Sequence, residues 1–382
     1  MSIRDFKSIK ERREYIEKIR KLKFDAINIY PNALVEAARY NCENMIGSVQ
    51  IPLGVAGPLS VSGEYAKGEF YIPLATSEGA LVASINRGCK AVTASLGASV
   101  MVEEVGMTRG PVFQTGGIRE GMKFKKWLDD NFEEIARISE STSSHLKLIK
   151  LESSILGRHA YVRFCFTTSD AMGMNMVTIA TQEIVEFIKK QAKIHCISLA
   201  GNYDTDKKPS WLNFIKGRGK KVWAEATLSE RIVIDVLKTT PSKIHEVATN
   251  KCLLGSVMSG SLGFNSHFAN IVAAIFIACG QDAAHTVEGS LGITTTQVNN
   301  HSLYISVYLP DVCLGTVGGG TRLPAQKEAL EMLGVAGGVD SHNALKFAEV
   351  LGGAVLAGEL SLLAALSEGS LAASHKRYAR GK

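Results

Sequence analysis

From residue 252 to residue 281 the chain runs without a single Asp, Glu, Lys or Arg. A stretch that long without charge is not a solvated segment; it belongs inside protein or inside lipid. Ser259-Gly260-Ser261-Leu262-Gly263-Phe264-Asn265-Ser266-His267 interrupts it, and the clean apolar run over 271–279 is too short to cross a bilayer. The window predicts a buried loop and a core helix, with no membrane span.

A length of 382 residues allows two or three domains with substantial cores, and 46% hydrophobic content with 36 glycines describes a compact chain. The net charge of +6 is modest and uneven. In residues 1–24, Arg4, Lys7, Lys10, Arg12, Arg13, Lys18, Arg20, Lys21 and Lys23 face only Asp5, Glu11, Glu14 and Glu17. Mixed signs at helical spacing predict a solvated helix with i,i+4 pairs, not a nucleic-acid arm. The 7 cysteines are scattered, without a C-x-x-C pair, as in a reduced cytoplasmic protein. The charged N-terminus has no apolar segment of the kind a secretory signal carries.

Pattern and punctuation divide the chain. Residues 1–42 read as helical, with a second helix over 32–39 and a stop at Asn41. Residues 49–59 read as a strand with turns and 71–74 as a short strand. After Arg109-Gly110-Pro111 the pattern predicts a helix over 120–139, strands over 145–151 and 160–167, and a helix over 175–194. This alternation predicts a small α/β domain set within a larger one. The larger one resumes after the turn-rich connector at 201–209.

Five places carry candidate chemistry. In Thr76-Ser77-Glu78-Gly79-Ala80-Leu81, Thr76 or Ser77 is expected to cap a helix with Glu78 in its first turn. Leu81, Val82 and Ile85 bury that segment, and a carboxylate against buried surface has its protonated form favoured, as a proton donor requires. Glu78 therefore reads as either a cap or an acid. The lysines of Asp206-Lys207-Lys208-Pro209 either face water or stabilise a developing oxyanion. Asp282 either sits at a surface helix end or is buried with a partner such as Lys207 or Glu78. Gly315-Thr316-Val317-Gly318-Gly319-Gly320-Thr321 can cradle a phosphate or let a planar cofactor approach, though it is not G-x-G-x-x-G. His375, in a basic tail, matters only if that tail closes over a site and protonates a leaving group. No metal-ligand spacing, G-x-S-x-G elbow or Walker lysine is present, so no metal is expected.

Read in order, these strings resemble the 3-hydroxy-3-methylglutaryl-CoA (HMG-CoA) reductase family. The likeness is carried by Glu43-Asn44-Met45-Ile46-Gly47, the 51–59 segment, the Glu78 segment, Met107-Thr108-Arg109-Gly110-Pro111 and Asp170-Ala171-Met172-Gly173-Met174-Asn175-Met176. It continues through Asp206-Lys207-Lys208-Pro209, Gly280-Gln281-Asp282-Ala283-Ala284, the glycine cluster and Gly358-Glu359-Leu360-Ser361-Leu362. The Asp-Ala-Met-Gly-Met-Asn-Met and Asp-Lys-Lys-Pro strings are similar to the biosynthetic class I form, of the soluble archaeal type without a membrane anchor.

The resemblance implies reduction of HMG-CoA to mevalonate and CoA with two NADPH, for isoprenoid biosynthesis in the cytoplasm. By motif, Lys207 would stabilise the thioester oxyanion and Glu78 would protonate the aldehyde. Asp282 would link to both, and His375 would protonate the CoA thiolate. Ser84, Asn86 and Arg87 match positions near CoA. Asp206, Lys208, Lys251, His267 and Asn270 match the HMG pocket. Asp170, Met172, Gly173, Met174, Asn175, Gly318 and Gly319 match the cofactor site. Ser143 and Ser144, with Lys147 and Lys150 nearby, stand where the adenosine 2′-phosphate is held. Gln114 stands where the family frequently has Arg.

The implied fold is α+β: a helical region over 1–42, a large domain over 43–113 and 199–382 around a long central helix, and an inserted ferredoxin-like cofactor domain over 114–198. The implied assembly is a homodimer, or a tetramer built from it, with its active site at the subunit interface and no nucleic-acid or membrane partner. Two rivals remain: NAD-dependent oxidation of mevalonate on the same fold, and a CoA- or nucleic-acid-binding regulator using the basic ends.

Overall fold

The computed structural model describes residues 2–338 and 342–369. Helix α1 (Ile9–Arg20) begins with a capping box: the Ser8 hydroxyl accepts the Glu11 N–H, and the Glu11 carboxylate accepts the Ser8 N–H, both at 3.1 Å. The expected i,i+4 pairing includes Lys10–Glu14 at 3.6 Å. One cation departs from the solvated pattern. Arg12 is buried, and its guanidinium donates to the Met45 and Phe6 carbonyls, each at 2.9 Å, which pins the helix to the chain that follows.

A hairpin of β1 (Leu53–Ser62) and β2 (Lys67–Ala75) precedes α2 (Leu81–Ala94) and β3 (Ala98–Arg109). There follow β4 (Val112–Gln114), α3 (Ile118–Asp130), α4 (Phe132–Glu140), β5 (Lys147–Leu156), β6 (His159–Thr167), α5 (Met174–Gln191) and β7 (His195–Ser198). The single helix expected over 120–139 is two. Asn131 turns its amide back onto the Trp127 carbonyl at 2.7 Å, which competes with helical continuation. Strands β4 to β7 lie antiparallel in the order β7-β4-β6-β5, with Phe113, Phe124, Phe164, Phe166 and Ile184 in the core beneath.

The later elements include β8 (Arg218–Leu228), β9 (Gly263–Phe264), α6 (Phe268–Ala278), β10 (Gly292–Asn299), β11 (Ser302–Val312) and α7 (Asn343–Ser367). Strand β3 joins the two sheets: Ser99–Gly106 registers with β8, and Met107–Arg109 with β6. Among the described residues α7 alone is long and apolar enough to cross a membrane, yet 83% of its most apolar window is buried inside the protein. It is the axis of the larger core. Glycine lets its neighbours approach closely: a Cβ on Gly88 of α2 would overlap the Ala357 carbonyl, and one on Gly358 would meet Ile271 of α6.

The uncharged window divides. Helix α6 is buried as expected and residues 261–267 ahead of it form a half-buried loop, but the start of the window is neither buried nor a loop. Thr249–Gly255 and Ser256–Ser259 are helical, and Leu253, Leu254, Val257 and Met258 face outward, Met258 at 86% exposure. Uncharged sequence here marks an apolar outer surface of the single chain, the kind that another surface covers.

Candidate active site

The floor of the site is an ion pair. The Lys207 ammonium lies 2.7 Å from Asp282 Oδ2. Its backbone is left-handed (φ +57°), and its N–H donates to Glu288 Oε1 at 2.7 Å. The Asp282 hydrogen bond, which outweighs the effect of burial, holds the ammonium above the ordinary lysine range. For Asp282, burial pulls upward, but the Lys207 hydrogen bond, the Ala284 amide and His285 together carry it below the usual carboxylate value. Lys207 is therefore a fixed cation, the state an oxyanion partner needs.

Beneath that pair lies a polar cluster of which the sequence reading assigned a role only to Asp206. Buried Arg218 bonds Glu288 Oε1 at 2.8 Å, Asp206 Oδ1 at 2.9 Å and the Thr108 hydroxyl at 2.9 Å. Glu288 also accepts from His285 Nδ1 at 2.7 Å. Asp311 accepts from Asn213 at 2.7 Å; its burial and the nearby Glu288 push it up to about 7, against the pull of Arg218. His285, Glu288 and Cys313 offer ligand-type atoms within 4.8 Å of one another, but the Arg218 guanidinium bonds both Glu288 and Cys313 and holds the place a metal cation would need.

The wall of the site is different. Glu78 does not lie in the first turn of a helix. Strand β2 ends at Ala75, the Thr76 hydroxyl accepts the Glu78 N–H at 3.0 Å, and α2 starts only after Ala80, which is left-handed (φ +75°) and provides no side-chain cap. The cap reading is therefore corrected: Glu78 sits in the turn before the helix, exposed rather than against buried surface. It lines an open cleft of about 460 Å³ with Val55, Ala80, Val82, Ala83 and Asn86. Its hydrogen bond is from Asn270 of α6, at 3.3 Å. Among the described residues no hydrogen bond or ion pair joins Glu78 to Lys207 or Asp282 within one chain.

The neighbours of Glu78 are tied inward. Ser84 Oγ bonds Ser361 Oγ at 3.0 Å, and Arg87 donates through Nε to that hydroxyl and through Nη2 to the Ser361 carbonyl. Asn86 accepts the Gly57 N–H at 3.0 Å. His267 is held through Nδ1 by Glu359, at 2.9 Å.

The glycine cluster and the Asp170 motif meet. The Asp170 carbonyl accepts the Thr316 N–H at 2.7 Å, and its carboxylate accepts the Ala344 N–H at the start of α7 at 2.8 Å. A Cβ on Gly315 would strike the backbone of Asp170, Ala171 and Met172, whereas one on Gly318 or Gly319 would meet nothing within 4 Å. Both of those glycines have positive φ, so they form an open, side-chain-free cradle. The cradle adjoins Asp282, because Gln281 Oε1 accepts the Gly315 N–H at 2.9 Å. Ser143 borders the same motif through Met176, and Gly173 caps α5 ahead of Met174 and Asn175.

A profile of the hydroxymethylglutaryl-coenzyme A reductase family matches residues 8–380. The chain belongs to the hydroxymethylglutaryl-coenzyme A reductase family. The 3-hydroxy-3-methylglutaryl-coenzyme A reductase of Methanocaldococcus jannaschii is 53% identical over 375 residues, covering 97% of this chain and 92% of the relative. That of Methanothermobacter thermautotrophicus is 51% identical over 375 residues, covering 98% and 94%. A solved class II 3-hydroxy-3-methylglutaryl-CoA reductase from Streptococcus pneumoniae, bound to NADPH in open conformations, matches with a TM-score of 0.69 at 17% identity, over 95% of this chain and 98% of that one. It shares the mixed α+β fold.

Within this reductase-family chain, not every expected residue gathers. Lys207 and Asp282 meet, and Glu78 meets Asn270. Lys208 is exposed and donates to the Asp206 carbonyl, and Lys150 is committed to Glu152 at 2.7 Å. Lys251 is exposed, and among the described residues no hydrogen bond or ion pair joins it to Glu78, Lys207 or Asp282. His375 lies outside the described residues. The residues to which sequence reasoning gave no role, Arg218, Glu288, His285 and Glu359, are buried polar side chains. For Glu359 a signal was there, since only Lys346, Glu349 and Glu359 carry charge in α7.

Proposed function

We propose that this reductase-family chain converts HMG-CoA to mevalonate and free CoA in the cytoplasm, as the class I biosynthetic form, with NADPH as reductant. NADPH would supply one hydride in each of two rounds. In the first, the Lys207 ammonium stabilises the oxyanion that forms when hydride reaches the thioester carbonyl carbon; collapse breaks the C–S bond, and His375 protonates the departing CoA thiolate. In the second, hydride reaches the aldehyde carbon and Glu78 gives its proton to the oxygen, leaving a primary alcohol. Asp282 keeps Lys207 charged and placed.

The open cradle at Gly318 and Gly319, next to Asp282, fits a flat cofactor with a pyrophosphate, and Asp170, Met172, Gly173, Met174 and Asn175 would line it. Ser143, Ser144 and Lys147 would hold the 2′-phosphate. Ser84, Asn86 and Arg87 would face CoA. Asp206, Lys208, Lys251, His267 and Asn270 would surround the HMG moiety. The domain limits we propose are 1–42, 43–113 with 199–382, and 114–198.

The observation that carries this reading is the Lys207–Asp282 pair beside that cradle. We assign the working unit to a homodimer in which Glu78 of one protomer faces Lys207 and Asp282 of its partner. The separation of the two halves within one chain and the outward-facing Leu253, Leu254, Val257 and Met258 support it. Purified protein mixed with HMG-CoA should oxidise NADPH, two per mevalonate, faster than NADH. No oxidation of either sinks the reading, and a preference for NADH returns the degradative direction.

A further inference from the structure

The Gly358-Glu359-Leu360-Ser361-Leu362 string has no role in the chemistry above, yet it touches both halves of the substrate wall. Ser361 holds Ser84 and Arg87 on α2. Glu359, two residues earlier on the same buried helix, holds the start of α6. Its carboxylate is fully buried and accepts four hydrogen bonds: the Ser266 N–H at 2.8 Å, the His267 N–H at 2.7 Å, the Thr294 hydroxyl at 2.6 Å and His267 Nδ1 at 2.9 Å. No Lys or Arg pairs with it among the described residues.

A carboxylate in that setting only accepts, so the hydrogen between Glu359 and His267 belongs to Nδ1. The neutral imidazole then has its lone pair on Nε2, the one ring nitrogen left for a ligand. The backbone is fixed by the same contact: with Ser266 and His267 tethered, the His267 carbonyl accepts the Asn270 N–H at 3.0 Å, and Asn270 reaches Glu78 at 3.3 Å. One buried carboxylate thus sets the ring tautomer of His267 and the first turn that carries Asn270.

We propose that Glu359 is a positioning residue for substrate binding: it locks His267 with Nδ1 protonated and Nε2 presented to the HMG pocket as an acceptor. The proposal rests on the HMG-CoA reading for the identity of the ligand, but not for the tautomer. A glutamine at 359 keeps the volume but loses the charge, and its NH2 must oppose one of the two backbone N–H groups, of Ser266 or of His267, so the hold on Nδ1 is weakened.

The test is twofold. In histidine-labelled protein, assigned with His267→Gln, the ¹⁵N shifts above the titration range should show a protonated Nδ1 and bare Nε2 in the unmodified chain, and a larger share of the Nε2-protonated tautomer in Glu359→Gln. In steady-state kinetics, E359Q and H267Q should each raise the KM for HMG-CoA by roughly tenfold, the scale of one buried hydrogen bond, with a smaller change in kcat. The double variant should be no worse than either single. A purely structural Glu359 would lower kcat with the folded fraction and leave KM and the tautomer alone.

If E359Q does not fold, the spectrum of the unmodified chain still decides, since a protonated Nε2 in its neutral ring overturns the proposal. Additive KM losses overturn it as well. Absence of any HMG-CoA turnover in the unmodified chain would instead overturn the functional reading, with the spectra still deciding the tautomer.

Discussion

The floor and the wall of the site are built to different standards. Lys207 and Asp282 rest on Arg218, Glu288 and His285, a buried network in which each charge has a partner within 3 Å. Glu78 stands exposed on a turn, touched by one amide at 3.3 Å. A cation that must stay charged through two reductions has to be fixed in advance, because preorganised charge acts without reorganisation at the moment of reaction. A proton donor needs burial, and within one chain Glu78 has none. On the dimer proposed above, a single protomer carries a finished electrostatic half and an unfinished acid half, which the second protomer would complete.

The largest effects should come from removing one group in each half. Lys207→Met should cost about 10²–10³ in kcat, the scale of a lost oxyanion donor, while HMG-CoA still binds. Glu78→Gln should cost about 10²–10⁴, the scale of general acid catalysis. The comparison is sharpest when these two inactive proteins are unfolded together and refolded as a mixture. If Glu78 and Lys207 act across the interface, mixed dimers regain one intact site and the mixture recovers about a quarter of unmodified activity. A mixture as inactive as its parents would place both groups in one protomer's site and break the comparison.

How far the sequence showed these two halves follows from the range of the contacts. Lys207, Asp282 and Glu78 were visible because each is a polar residue in a conspicuous setting, and the Lys207–Asp282 partnership was one of the pairings that the cost of burying Asp282 suggested. The position of Glu78 was misread because capping rules treat Thr76 and Ser77 as helix starts, whereas a left-handed Ala80 delays the helix to Leu81. The uncharged window located α6, but composition does not distinguish a surface that packs inside the chain from one that packs on another chain. Arg218 carries no signal of its own among the basic residues of 216–221; only the meeting of β8 with β11 and the loop at 206 shows it buried and bonded to Glu288, Asp206 and Thr108.

That network is the next point to strain. Arg218→Met keeps an unbranched side chain but leaves Glu288 and Asp206 without their cation. Breaking one side of a buried ion pair costs about 3–5 kcal/mol, which should appear as a lower urea midpoint. Asn270→Ala, on the wall, should cost under about 1 kcal/mol, since its one long hydrogen bond is at an exposed carboxylate. Equal losses from the two would mean that the floor is no better supported than the wall.

The last effect concerns pH, and within the floor two carboxyls have opposite signs. Asp282 is held below its ordinary value, so its contribution is present above about pH 4 and is lost as pH falls through its native value. Asp311 is the reverse. Pushed up to about 7, it keeps its proton in the native state between pH 4 and pH 7 while the unfolded chain has already released it. Its contribution is therefore complete at low pH and fades as pH rises toward 7. Asp311→Asn keeps an acceptor for Asn213 and removes the titration. Relative to the unmodified chain, it should gain stability between pH 5 and pH 8, by on the order of 2 kcal/mol, in urea midpoints measured at both values. A gap that does not change between the two pH values would mean that Asp311 is charged throughout, and that Arg218 rather than a proton balances it.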